Sequence, residues 1–172
     1  MHVMLDLETM GNGANSAIIA IGAVAFDDTG INSRFYEQVS LASCVGIGFE
    51  CDASTIMWWM QQSDEARSAF RGNDKAGHIR GVLAQFAKWF VDVGGVEVWG
   101  NGAAFDNAIL SNAYRKSGTV QPWKFWNDKC YRTIKGLYPD VSLERVGTHH
   151  NALDDAESQA KHLCKIFGWA YK

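Results

Sequence analysis

The stretch Ala17 to Phe26, AIIAIGAVAF, constrains the fold of this chain more than any other. It is almost continuously apolar, broken by Gly22, and it ends at the turn-forming residues Asp27-Asp28-Thr29-Gly30. Side chains alternate between the two faces of a strand, so a strand reads as apolar throughout only when both faces are covered. The run therefore predicts a central strand in a sheet with a layer of structure on each side. Asp27 to Gly30 predicts a hairpin turn into an outer strand, Ser33 to Val39, whose residues alternate more. His2 to Leu7 predicts a short buried strand before it, followed by the turn-rich connector Thr9 to Asn15. The chain thus opens with a three-stranded meander.

The pattern then changes to the helical period. Ser40 to Cys51 is irregular. Asp52 or Ser54 is placed to cap a helix through Met60, and Ser63 a second from Asp64 to Phe70. Between Lys75 and Val91, Ile79, Val82, Leu83, Phe86, Trp89 and Phe90 recur as a helical stripe ended by Gly94-Gly95. Val96 to Trp99 predicts a short strand, and the loop Gly100 to Ala104 leads to a helix from about Phe105 to Lys116. After a loop around Pro122, residues near Asp128 to Tyr131 predict a fifth strand, with a short helix to Leu137. Val141 to Thr148 reads as loop. A last helix spans about Asn151 to Phe167, with Ala152, Ala156, Ala160, Leu163 and Ile166 on its inner face. This order predicts an α/β fold, a mixed five-stranded sheet flanked by helices, with its site near the ends of the central strands. At 172 residues and 47% hydrophobic, the expectation is one domain, 1–172, with a sizeable core.

Asp6 and Glu8 lie two apart on the first strand, so both carboxylates point to one face. Two like charges at the edge of a core are costly unless a cation sits between them. The strand at Val96 to Trp99 follows a crossover helix and can lie parallel to the first strand, which brings Asp106 to the same sheet edge. Asp155 lies early in the last helix, and His150 five residues before it, about 140° around a regular helix. The two converge only if His150 sits at or before the helix start. Asp154 points about 100° away from Asp155. Four carboxylates and one His suit Mg²⁺ or Mn²⁺ better than zinc. Two such ions about 4 Å apart suit attack of water on a phosphodiester, and a neutral His can take the proton.

The formal net charge of −3 does not exclude nucleic acid, because two bound divalent ions take it to +1 and reverse the local field. The apolar runs are too short for a membrane span, and the N-terminus lacks the basic and apolar regions of a signal peptide. Cys44, Cys51, Cys130 and Cys164 are scattered, which predicts reduced thiols in a cytoplasmic protein.

The segments DLET (Asp6 to Thr9), NGAAFDNAIL (Asn101 to Leu110) and HNALDDA (His150 to Ala156) resemble, in order and spacing, the three motifs of the DEDDh, or DnaQ-like, 3'→5' exonucleases. Ser54 to Arg67 further resembles a short stand-alone bacterial and phage branch, whose members are named as both exodeoxyribonucleases and exoribonucleases. The resemblance implies a ribonuclease H-like fold and two Mg²⁺ or Mn²⁺ ions held by Asp6, Glu8, Asp106 and Asp155. It implies His150 as the general base and a nucleic acid with a free 3' end as partner. Thr9 and Met10 would hold the terminal nucleotide. Asn101-Gly102 stand where many members have a His-Asn pair, a departure that touches sugar contacts and support of the site.

Further substrate contacts are expected from Phe105, Trp59 and Asn101. Trp58 and Trp59 point about 100° apart, so one belongs to the core and the other to the cleft. Arg67, Arg71, Arg115, Lys116 and Arg132 are candidates for phosphate binding. His149 reads as a surface or loop residue, and Asn127 and Asp128 as structural. The aromatic-rich segment Pro122 to Trp126 could be the surface of a homodimer or plain core. The function expected is a metal-dependent 3'-5' exonuclease releasing 5'-mononucleotides from DNA. Its alternatives are an exoribonuclease and a non-catalytic nucleic-acid-binding subunit on the same fold.

Overall fold

The computed structural model describes residues 1–170. In chain order the elements are β1 (His2–Thr9), β2 (Ile18–Asp27), β3 (Gly30–Gln38), α1 (Leu41–Gly46), α2 (Ala53–Met60), α3 (Ile79–Asp92), β4 (Glu97–Gly100), α4 (Asp106–Ser117), β5 (Asp128–Cys130), α5 (Tyr131–Leu137) and α6 (Ala152–Phe167), with 3-10 turns at Ala66–Phe70, Asn73–Lys75 and Phe125–Asn127. The strands form a sheet in the order β3-β2-β1-β4-β5. The first three are antiparallel neighbours, and β4 and β5 add in parallel, as crossovers through α3 and α4 allow.

Alternation along β1 divides its residues between two cores. Val3, Leu5 and Leu7 pack with Ile79, Leu83, Phe86 and Phe90 of α3 and with Ile109, Leu110 and Ala113 of α4. Met4 packs on the opposite face with Val24 and Phe26 of β2 and with Ala156, Ala160 and Leu163 of α6. Both faces of the sheet are therefore covered, and Ile18 to Phe26 of β2 are fully buried, as the apolar run predicts.

Helix boundaries are where local pattern and structure differ. The α3 helix begins at Ile79, not Lys75. His78 is extended (φ −61°, ψ 136°), and its Nδ1 accepts from the Arg80 N–H, so it caps the helix. The segment 64–70 forms only a 3-10 turn, with Ser63 Oγ accepting from the Ala66 N–H. The irregular stretch after Ser40 holds the short helix α1, capped by Ser40. On α6, Ile166 is half-buried rather than core. Trp123 is core, against Phe86, Phe90 and Tyr114, whereas Phe125 and Trp126 are exposed. No helix among the described residues is long and apolar enough to cross a membrane.

Candidate active site

Asp6 pairs with Gly22 in the β1–β2 ladder. A Cβ at Gly22 would lie 2.2 Å from the carbonyl carbon of Ala152, so the glycine lets the start of α6 rest directly on the sheet. Asn151 caps that helix, its Oδ1 accepting from the Leu153 and Asp154 N–H groups at 3.1 and 3.2 Å. One turn on, Asp155 meets Asp6 and Glu8, and single carboxylate oxygens of the three lie within 4.8 Å of one another.

Asp106 arrives from the other side. Asn107 ties the start of α4 to the parallel strands, donating from Nδ2 to the Val98 carbonyl at 2.9 Å and to Asp128 Oδ1 at 2.8 Å. Asp128 also accepts from the Trp123 indole at 2.9 Å, which bears out its structural reading. So tethered, Asp106 is 2% exposed and its Oδ1 accepts from the Leu7 N–H at 3.2 Å. It lies close enough to act on Asp6 and Glu8 but is not one of the three whose oxygens fall within 4.8 Å of one another.

The electrostatics are those of a site short of positive charge. Burial, then Asp106, Glu8 and Asp155, raise the pKa of Asp6 well above the usual carboxylate range. Burial, then Asp155 and Asp106, push Glu8 up to about 8, and burial pushes Asp106 to about 7. Glu8 Oε1 is buried without a hydrogen-bond partner. An orphaned carboxylate oxygen among like charges fits a divalent cation bound by hard oxygen ligands.

His150 occupies the left-handed region, with φ 65°. That turn carries the chain into the helix cap, and the His150 N–H donates to Asp155 Oδ2 at 2.8 Å. Its ring stacks on His149 at 3.7 Å between centroids and meets Trp58 edge-on at 4.9 Å. Burial, then His149, lowers its pKa, which favours the neutral imidazole. His149 is an exposed loop residue, as expected, and it also lines the cleft beside His150. Asp154 turns away as expected, accepting from the Thr148 N–H at 2.7 Å.

A cleft of about 530 Å³ joins these groups. Thr9, Asn101 and Phe105 line it as the sequence suggests. Met10 does not: it is 7% exposed and packs in the core, because the side chain following Glu8 and Thr9 turns inward with Leu7. Trp59 is likewise almost wholly buried. It forms the inner wall, its indole donating to the Thr9 carbonyl at 3.0 Å, while the half-exposed Trp58 presents a ring to the cleft mouth. Both rings line the cleft, Trp59 as its inner wall and Trp58 at its mouth.

Of the five basic candidates, none lines this cleft; Lys135 and Arg145 do. Arg145 Nη1 donates to Asp155 Oδ1 at 2.7 Å, a contact that its place in an unpatterned loop could not signal. Gln159 donates from Nε2 to Asp6 Oδ1 at 2.8 Å. It sits four residues after Asp155 on the same helix face, a spacing that could have revealed it.

The family described as the 3'-5' exoribonuclease Rv2179c-like domain matches residues 1–167. An exodeoxyribonuclease of Enterobacteria phage T4 is 29% identical, over 76% of this chain and 68% of that protein. The nuclease domain of 3'hExo, a DEDDh family member bound to rAMP, superposes with a TM-score of 0.66 at 15% identity, over 97% of this chain and 91% of that one. Exonuclease X in complex with 5' overhanging duplex DNA does so with a TM-score of 0.61 at 17% identity, over 99% and 95%. The shared architecture is the ribonuclease H-like sheet described above. With the acidic trio and the three motifs in place on that sheet, the chain belongs to the Rv2179c-like 3'-5' exoribonuclease domain family and is a 3'-5' exonuclease.

Proposed function

We propose that this enzyme removes nucleotides stepwise from the 3' ends of DNA, releasing 5'-mononucleotides, with two Mg²⁺ or Mn²⁺ ions held by Asp6, Glu8, Asp106 and Asp155. The observation that carries the reading is the orphaned, buried Glu8 Oε1 amid three further carboxylates. Bound there, the ions would acidify the attacking water and stabilise the leaving oxygen. Asp106, braced by the Leu7 N–H, and Asp6, braced by Gln159, present their oxygens without rearrangement.

His150 acts as the general base. Its depressed pKa keeps the ring neutral near pH 7, and the ring takes the proton of the attacking water. The Asp155 carboxylate, held by the His150 N–H, couples the position of the base to the acidic trio. Thr9, Asn101 and Phe105 contact the terminal nucleotide, and Trp58 stacks on a base.

DNA is preferred because the phage relative is named an exodeoxyribonuclease. The family description favours RNA as the second reading. The four free cysteines support a reducing, cytoplasmic setting, and the exposed Phe125 and Trp126 would be the surface of a homodimer.

The test is a time course on matched 5'-labelled DNA and RNA oligonucleotides with Mg²⁺, with Mn²⁺ and with EDTA, beside Asp6→Ala. The expected result is a ladder shortening from the 3' end, faster on DNA, and absent with EDTA or in the variant. Faster loss of RNA would transfer the assignment to the second reading, and an active Asp6→Ala would overturn the metal-ligand set.

A further inference from the structure

A second groove, of about 610 Å³, continues from the catalytic cleft. Asn101 and Lys135 line both, so the two spaces share a wall. The groove is completed by Arg132 of α5 and by Tyr138, Pro139 and Val141 beyond it. Its character is opposite to that of the cleft: two cations, an aromatic ring and apolar surface, with no carboxylate among the described residues that line it.

The parts of this groove are positioned. Arg132 and Lys135 are three residues apart on α5, on one side of the helix. Arg132 Nη2 donates to the Asn101 carbonyl at 2.6 Å. Its guanidinium lies against Gly102 (φ 116°), with atoms 3.4 Å from where a Cβ would stand, so the glycine makes room for it. A guanidinium has five N–H donors, and the Asn101 carbonyl takes one direction of the fork. Val141 is anchored through its carbonyl to His162 Nε2 at 2.8 Å, and His162 Nδ1 accepts from the buried Tyr131 hydroxyl at 2.7 Å. Tyr138 is half-exposed.

We propose that this groove binds the base of the penultimate nucleotide of a single-stranded 3' end and the phosphate on its 5' side, the one next to the scissile phosphodiester. The proposal rests on the exonuclease reading of the adjoining cleft and adds what that cleft does not supply. An acidic cleft repels the phosphates of the strand it cuts until ions fill it. The cationic groove beside it offers the next phosphate Arg132 and Lys135, and offers an unstacked base the ring of Tyr138. A single strand is required because a base held in a duplex has no free face for the ring.

The test measures equilibrium binding of labelled DNA and RNA ligands, from 5'-mononucleotide to octanucleotide, in Ca²⁺ by fluorescence anisotropy. The proteins are wild type, Arg132→Gln, Tyr138→Ala and Tyr138→Phe, and their melting temperatures report folding. For wild type the Kd should fall about tenfold from 5'-mononucleotide to dinucleotide, which adds the penultimate base, fall again to the trinucleotide, which adds the next phosphate, and then level off. Tyr138→Ala should lose the first gain and Tyr138→Phe should keep it. Arg132→Gln should weaken the longer ligands and lower the salt slope by about one. Identical length dependence in wild type, Arg132→Gln and Tyr138→Ala would overturn the groove assignment. Hydrolysis in Mg²⁺ is read separately: its absence at every length would count against the exonuclease reading, not against the groove.

Discussion

Gly22 and Ala152 are in contact through their backbones: a side-chain carbon on Gly22 would lie 2.2 Å from the carbonyl carbon of Ala152 and 2.3 Å from the nitrogen of Leu153. Gly22 is also the ladder partner of Asp6, so one glycine sets the distance between the strand that carries two carboxylates and the helix that carries a third. Gly22→Ala should force α6 off the sheet and cost about 3 kcal/mol, the upper part of the usual overpacking range. Urea unfolding would measure the cost. Hydrolysis should fall further than the folded fraction, since Asp155 and His150 move with the helix.

The raised pKa of Glu8 has a definite consequence for the metal-free protein. Its folded value of about 8 exceeds the ordinary 4.5, so the folded state holds a proton that the unfolded chain gives up between these values. The Glu8 contribution to stability is present below about pH 4.5 and is lost as pH rises through about 8. In EDTA, Glu8→Gln should therefore melt above wild type, by a margin that opens across this window. Mg²⁺ should raise the wild-type melting temperature, by about 2.7 kcal/mol of stability at a hundredfold excess over Kd, and leave the variant nearly unmoved. Calorimetry over pH, with and without Mg²⁺, checks both signs.

Arg145 holds an oxygen of Asp155 that the acidic trio would otherwise offer to an ion. The pair is partly exposed, with the arginine side chain 47% accessible. Removing it with Arg145→Gln should tighten Mg²⁺ binding by up to about 1 kcal/mol, a several-fold lower half-saturating concentration. A Mg²⁺ titration of melting temperature reads this directly; weaker binding would mean that Arg145 orients Asp155 for the ion instead of competing with it.

The left-handed backbone of His150 governs the choice of variant at that position. His150→Asn keeps a residue that tolerates φ near 65° and keeps the N–H bond to Asp155, whereas His150→Ala adds backbone strain to the loss of the ring. The Asn variant should retain wild-type Mg²⁺ binding and lose about 10²- to 10⁴-fold in kcat. Near-normal kcat in His150→Asn would remove the base assignment.

Trp58 and Trp59 should respond to substitution in opposite ways. Trp59→Ala removes a buried ring bonded to the Thr9 carbonyl and should cost about 3 to 5 kcal/mol of stability. Trp58→Ala removes a half-exposed ring at the cleft mouth and should leave stability within about 1 kcal/mol while raising KM. Paired denaturation and steady-state kinetics separate the two roles.

Periodicity and spacing were enough to read the sheet, its two covered faces, and the shared face of Asp6 and Glu8, because alternation in a strand and the helical repeat are local properties of the chain, whereas Asp155 joined them through the resemblance of the motifs. The three motifs carried the family because their order survives without any knowledge of contacts. Other features depended on residues far apart in the chain. The α3 start moved from Lys75 to Ile79, since the His78 cap decides it and not the apolar stripe. Met10 went to the core and Trp58 to the cleft because packing against the rest of the molecule chooses between neighbouring positions that are equally apolar. Asp106 is braced by the Leu7 N–H, 99 residues away in the chain. Arg145 in its loop has no pattern that announces it, and Arg132 was one of five basic candidates that nothing local set apart; only the folded chain brings one to Asp155 and the other to Asn101. The sequence by itself determined which chemical groups the site contains and which faces are buried. The tertiary structure alone decided which of those groups touch, because contact depends on where separate elements meet, and that is set by close approaches such as Gly22 to Ala152.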